Sequence, residues 1–141
     1  MIAFGGALNP DGSHVFPVRV YFEDTDFSTN VYHAAYLKFF ERARTEFLRA
    51  HGIHHAELAR DGLAFAVRHL EISYDRAAHI DDLLEVETRL LEMSGARFIL
   101  AQIMRREGEI VCSAKVTAVL INAVGRPVRL PEALRARFRS H

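Results

Sequence analysis

One stretch restricts the fold more than any other: EDTDFSTNVYHAAYLKFFERARTEFLRAHG, from Glu23 to Gly52. Within it Tyr36, Phe40, Ala43 and Phe47 recur at steps of four, three and four, the period of one helix face. Phe39, Leu48 and Ala50 widen that stripe, so the helix must lay a broad apolar face on another layer. The opposite face carries Lys38, Arg42, Thr45, Glu46 and Arg49, with Arg42–Glu46 and Glu41–Arg44 spaced to pair along the helix. Gly52 can enter the left-handed region without steric cost and so ends the helix. Ahead of the helix lies a short polar loop with two acids, Asp24 and Asp26. A helix start carries unpaired N–H groups and partial positive charge. An acidic loop feeding it suits chemistry in which a carbonyl oxygen turns negative beside a carboxylate.

The rest of the chain reads mainly as strand. VFPVRVYF (Val15 to Phe22) leads into the acidic loop, and the helix runs from about Ala34 to His51. A short helical turn follows over His54 to Gly62. LAFAVRHLEISY then alternates with a change of phase: Leu63, Phe65 and Val67 first, Leu70, Ile72 and Tyr74 later. A bulge near Arg68-His69 accounts for the switch. LLEVETRLLE, RFILAQIMRR and IVCSAKVTAVLI follow, separated by turns at Ser94-Gly95 and Glu107-Gly108, and PEALRARFRS forms a short basic tail helix. Hairpin-linked strands around one amphipathic helix predict an α+β domain, a mainly antiparallel five-stranded sheet wrapped around the helix. Residues 1–14, broken by Gly5, Gly6, Pro10 and Gly12, read as a flexible tail. One helix cannot protect every sheet edge, so pairing with further copies, as a homodimer or homotetramer, is expected.

Composition narrows the function. Half of the 141 residues are hydrophobic, which supports one domain with a real core. Eighteen basic and eighteen acidic residues cancel, against nucleic acid as the main partner. The lone Cys112 excludes an internal disulfide and a Cys-rich zinc site. The most apolar window, Val116–Val124, is too short to span a bilayer. No secretion signal is read at the N-terminus, so a cytoplasmic protein is expected.

Two runs carry a resemblance: RVYFEDTDFSTNVYHAAYLKFFERARTEFL and VRHLEISYDRAAHIDDLLEVETRL. They resemble the hotdog-fold acyl-CoA thioesterases, within these the 4-hydroxybenzoyl-CoA thioesterase-like group, and most of all the Tol-Pal-associated acyl-CoA thioesterases. The similarity extends from about Val15 to Val124. It implies a single hotdog thioesterase domain over residues 15–141 that hydrolyses acyl-CoA, or an acyl carrier protein thioester, without metal or cofactor. It also implies Asp26 as general base or nucleophile and His33, seven residues on, as its partner. The backbone N–H at His33 would polarise the thioester carbonyl, and Tyr32 and Tyr36 would bind substrate. The chain departs from the family pattern at Thr29, where a glycine is usual, at Ser28, at Ala35 in place of Asn, and at Ala77 in place of Pro.

Plainer roles compete for the same residues. Asp before a helix is commonly a turn or capping residue, and Asp24, which alternates away from Asp26, reads as structural. His51, His54, His55 and Glu57 have metal-like spacing, but Gly52 interrupts them and a solvated connector explains them better. Cys112 reads as an inert core residue. No GxSxG elbow, P-loop or GxGxxG turn is present. Over residues 126–139 five arginines against Glu132 leave a net +4 (five minus one), which suits CoA phosphates or a solvated tail equally. Two other functions fit the pattern: a hotdog hydratase or dehydratase acting on acyl thioesters, and a non-catalytic acyl-binding scaffold.

Overall fold

The computed structural model describes residues 4–139, so residues 1–3 and 140–141 of the expected tail and domain lie outside the described residues. Its strands are β1 (Ala7–Leu8), β2 (His14–Arg19), β3 (Ala64–Tyr74), β4 (Leu83–Ser94), β5 (Arg97–Arg106) and β6 (Glu109–Ile121). They form one sheet in the order β1-β2-β4-β5-β6-β3, and every neighbouring pair is antiparallel. The helices are α1 (Ala35–Ala50), α2 (His55–Arg60) and α3 (Glu132–Ala136). The expected α+β architecture is present, with the two-residue β1 added to the five expected strands. No helix among the described residues is long and apolar enough to cross a membrane.

The helix α1 buries Tyr36, Phe39, Phe40, Ala43, Phe47 and Leu48, which is the face read from the sequence, while Ala50 faces solvent. Its first half packs with Val18, Leu84, Val86, Met104, Cys112 and Val116. Phe47 and Leu48 join a second cluster with Phe98, Leu100, Leu120, Leu130 and Leu134. Phe40 and Phe47 are fully buried, each stabilising the fold by roughly 2 kcal/mol or more. At the C-terminus the Gly52 N–H donates to Arg49 O (2.9 Å) and the Ile53 N–H to Leu48 O (2.8 Å). With Gly52 at φ +80° this is a Schellman cap. The expected pairs along the helix do not form. Glu46 pairs with Arg49 at 3.4 Å instead of Arg42, and Arg44 turns inward to donate to Gln102 Oε1 at 3.1 Å. Gln102 is buried in the core-facing row of β5 and also donates to Phe40 O and Thr88 Oγ1.

In β3 the register with β6 shifts between Val67 and His69, the bulge that the phase change predicted. The segment expected as a loose tail is laid against the sheet where it is described: Ala7 and Leu8 pair with Val15 and His14, and β2 starts at His14. Two histidines tether it. His14 Nε2 lies 2.6 Å from Gly5 O and His51 Nε2 lies 2.9 Å from Gly12 O. Gly6 sits at φ +76° with space for a Cβ only 2.1 Å from Val15 O, so no other residue fits there.

Strand order explains where the two long connections meet. The chain leaves β2 at one side of the sheet and returns as β3 at the far edge, then crosses back from β3 to β4 beside β2. Residues 24–34 of the first connection and 75–82 of the second are therefore brought together. Asn30 bridges His79, the Val31 N–H donates to Ala78 O (2.8 Å), and the Ile80 N–H donates to Thr29 O (3.0 Å).

Candidate active site

The acidic loop is a tight reversal. Thr25 pairs with Val31, the Asp26 N–H donates to Asn30 O (2.9 Å), and the Thr29 N–H donates to Asp26 O (3.1 Å). Turning the chain this sharply places Thr29 at φ +67°, in the left-handed region that disfavours a β-branched residue. The two acids separate as the alternation suggested. Asp24 Oδ2 accepts from the Tyr21 N–H (2.9 Å), closing the 3-10 turn Phe22–Asp24. Asp26 is partly exposed, and its Oδ1 accepts from both the N–H and the Oγ–H of Ser28, at 2.8 and 2.5 Å. Those bonds, the hydroxyl first and the backbone N–H second, hold the Asp26 carboxyl below its ordinary range, with a smaller push from the Asn30 contact. Asp26 is thus a carboxylate at neutral pH, with Oδ2 unengaged among the described residues.

His33 lies in the turn that opens α1. Its ring is exposed and lies tilted against Tyr32, centroids 4.5 Å apart, and no hydrogen bond joins the imidazole to Asp26. The turn has no side-chain cap, and the N–H groups of His33 and Ala34 find no acceptor among the described residues. Tyr32 is half exposed. Tyr36 is buried, its hydroxyl accepting from the Ala78 N–H at 3.0 Å and its ring edge-on to Tyr74. Asp26, Tyr32, His33 and Tyr36 line one open groove of about 700 Å³.

The groove's other wall is Tyr74, Asp75, Arg76 and Ala77, none of which the sequence assigned to the site. The one available signal was Tyr74, a polar-tipped aromatic ending the core-facing row Leu70, Ile72, Tyr74. Its hydroxyl donates to His33 O at 2.8 Å. Ser28 was noted only for its departure from the family pattern, and its grip on Asp26 went unread. Arg76 is committed to Glu109 at 2.6 Å.

A second cavity, of about 260 Å³, lies farther along α1 between the helix and the N-terminal end of β3. Leu48, Phe65, Phe98 and Leu100 make it apolar, and Glu41, Arg44, Thr45 and His55 give it a polar wall. Among the described residues no group of three or more His, Cys, Asp or Glu could hold a metal. His51, His54 and His55 diverge to Gly12 O, Arg49 and the Phe65 ring. Burial pushes the Cys112 thiol up to about 12, so it is inert as expected.

Comparison with known proteins points the same way. Residues 20–138 match the model of the thioesterase-like superfamily. The acyl-CoA thioester hydrolase YbgC of Escherichia coli O6:H1 is 39% identical over 126 residues, 88% of this chain and 94% of that protein. The acyl-CoA thioesterase YbgC of Haemophilus influenzae is 43% identical over 130 residues, 91% of this chain and 96% of that protein. Among solved structures, a probable thioesterase from Bartonella henselae superposes with a TM-score of 0.81 at 48% identity, covering 84% of this chain and 99% of that one. A family model matched over residues 20–138, relatives near 40% identity across most of both chains and a shared sheet-and-helix architecture show that the chain belongs to the thioesterase-like superfamily, with its hotdog fold.

Proposed function

We propose that this protein hydrolyses acyl-CoA thioesters to the free acid and CoA, with Asp26 as general base. The observation that carries the reading is the pairing, in one groove, of an ionised Asp26 with the unpaired N–H groups of the α1 opening turn. Water held by Asp26 Oδ2 gives up its proton as its oxygen bonds to the thioester carbon. The carbonyl oxygen becomes negative and is met by the unpaired N–H groups of His33 and Ala34, each contact worth on the order of 3 kcal/mol for a well-placed donor. Collapse of the adduct breaks the C–S bond, and the sulfur leaves with the proton that Asp26 held. Tyr32 borders the path to this point, and Tyr36 forms its floor. Such a substrate fits the cytoplasm.

A second copy completes the site. Among the described residues strand order leaves the outer edge of β3 unpaired over Ala64–Tyr74, whereas β1 covers the other end of the sheet. A long free edge invites a partner strand. Paired antiparallel with its own copy about a two-fold, β3 sets Arg68 near the Glu71 of the other strand, opposite charges meeting. The same operation lays the Tyr74 end of one strand along the Phe65–Val67 end of the other. The Asp26 groove of one protomer then faces the 260 Å³ cavity of its partner, which becomes the acyl pocket.

The test is thiol release from a panel of acyl-CoA and acyl carrier protein thioesters. Asp26→Asn is expected to lower the best rate on the order of a hundredfold or more, His33→Ala less, because the backbone N–H remains, and Asp24→Asn to act mainly on stability. An Asp26→Asn protein that melts lower yet turns over at the wild-type rate would reduce Asp26 to a capping residue. Hydration of enoyl-CoA without thiol release would transfer the site to hydratase chemistry. Val67→Lys, at a half-exposed position on the free edge, is expected to shift the particle from a multiple of 16.0 kDa toward one chain and to cut activity in parallel. A wild-type monomer by light scattering would remove the partner from the site.

A further inference from the structure

We infer that Tyr74 is a positioning residue for the oxyanion contact, acting through the peptide between His33 and Ala34. The inference rests on the hydrolase reading above and adds to it a group from the sheet edge.

Tyr74 ends β3 in the core-facing row, opposite Cys112 of β6. Its ring is wedged edge-on against Tyr36, with centroids 5.3 Å apart and planes at 75°. That contact aims the hydroxyl across 41 residues of sequence at His33 O, 2.8 Å away. The carbonyl belongs to the peptide whose N–H is that of Ala34. Among the described residues this peptide has one hydrogen bond, the one from Tyr74, and its N–H is unspent.

Two consequences follow for a turn without a side-chain cap. The peptide plane, which the turn alone would leave free to rock, is fixed from the sheet side. A hydrogen bond to the carbonyl also draws charge along the amide and strengthens its N–H as a donor, by about 10–30% per bond. Negative charge on the thioester oxygen develops only as water adds, so a better-held donor lowers the barrier more than it tightens substrate binding. Desolvation raises the Tyr74 phenol's pKa, with Cys112 adding to it, so the hydroxyl keeps its proton over the working range.

Tyr74→Phe removes the hydroxyl and keeps the ring on Tyr36. The expected result is a fall in kcat of about tenfold, below the loss for deleting an oxyanion donor outright, with KM within about twofold and melting unchanged within a degree or two. The thioester carbonyl itself gives a second readout. Benzoyl-CoA bound to Asp26→Asn should show a C=O stretch shifted down from its free value, and adding Tyr74→Phe should return part of that shift. A Tyr74→Phe enzyme with wild-type kcat, or one whose loss lies wholly in KM or melting temperature, would overturn the inference. An unaltered C=O stretch in the double variant would overturn it as well. Failure of the hydrolase reading has a different signature: the wild-type protein itself would release no thiol from any acyl-CoA.

Discussion

Thr29 offers the sharpest test of how the acidic loop is held. It sits at φ +67° between Asp26 and Asn30, and it is β-branched, the poorest kind of residue for that region. The left-handed conformation costs an L-residue about 1–2 kcal/mol. Glycine at the same place carries no such cost but loses about 0.5–1 kcal/mol in extra unfolded-state entropy. Thr29→Gly should therefore stabilise the protein by roughly 0.5–1 kcal/mol, a rise of about 2–3 °C in Tm for a chain of this length. The backbone bonds that shape the loop, from the Thr29 N–H to Asp26 O and from the Ile80 N–H to Thr29 O, survive the change. The only bond lost is Thr29 Oγ1 to Ser28 O at 2.6 Å, in an exposed loop where water replaces it. Activity should stay within about twofold, because both groups that hold Asp26 belong to Ser28. Urea denaturation and thiol release, measured on the same preparations, decide the matter. A Thr29→Gly protein destabilised by more than about 1 kcal/mol would mean that the hydroxyl contact outweighs the strain, and the reasoning would fail.

Local pattern made the helix, its Gly52 cap and the β3 bulge legible, because each is written in residues within a few positions of one another. The placement of Asp26 in the loop and of His33 at the helix start was legible for the same reason, whereas the roles proposed for them come from the family resemblance. What stayed hidden depends on contacts between distant segments. The 75–82 crossover lies beside the acidic loop only because β3 pairs with β6 while β2 pairs with β4, and no periodicity records strand order. Arg44 had a carboxylate at helical spacing in Glu41 and takes Gln102 instead. The signal for that was a polar residue in the row Phe98, Leu100, Gln102, Met104, where an amide needs partners and the nearby helix supplies them. The glycines and Pro10 made residues 1–14 read as a flexible tail. Gly6 is in fact required by close backbone approach, and His14, which looked like part of a polar tail, is buried against Gly5.

Two titrations follow from groups on either side of the helix. Ser28→Ala removes the stronger of the two bonds that depress Asp26, so the Asp26 pKa should rise toward its ordinary value. With Asp26 as the proposed base, the acid limb of kcat/KM should then begin at a higher pH; a limb that does not move would separate Asp26 from the rate. His14 governs stability in the opposite limb of the molecule. Burial, the largest influence, lowers its pKa from 6.5, while the Gly5 carbonyl and Glu46 favour the charged form and His51 opposes it. The Nε2–H donates to Gly5 O, and Nδ1 is buried without a partner among the described residues, so a second proton would be stranded. The folded state therefore stays neutral at His14 where the unfolded chain takes up a proton. Unfolded molecules bind the extra proton below about pH 6.5, which places full stability above that pH and drains it as pH falls toward the folded pKa. At pH 5.5 the loss from this one group reaches up to about 1.4 kcal/mol. His14→Gln keeps an N–H donor for Gly5 O and does not titrate, so its stability should fall less between pH 7.5 and 5.5 than that of the wild type. Denaturation curves with the same pH slope for both proteins would show that His14 carries no proton linkage, and the acid sensitivity would then have to come from other groups.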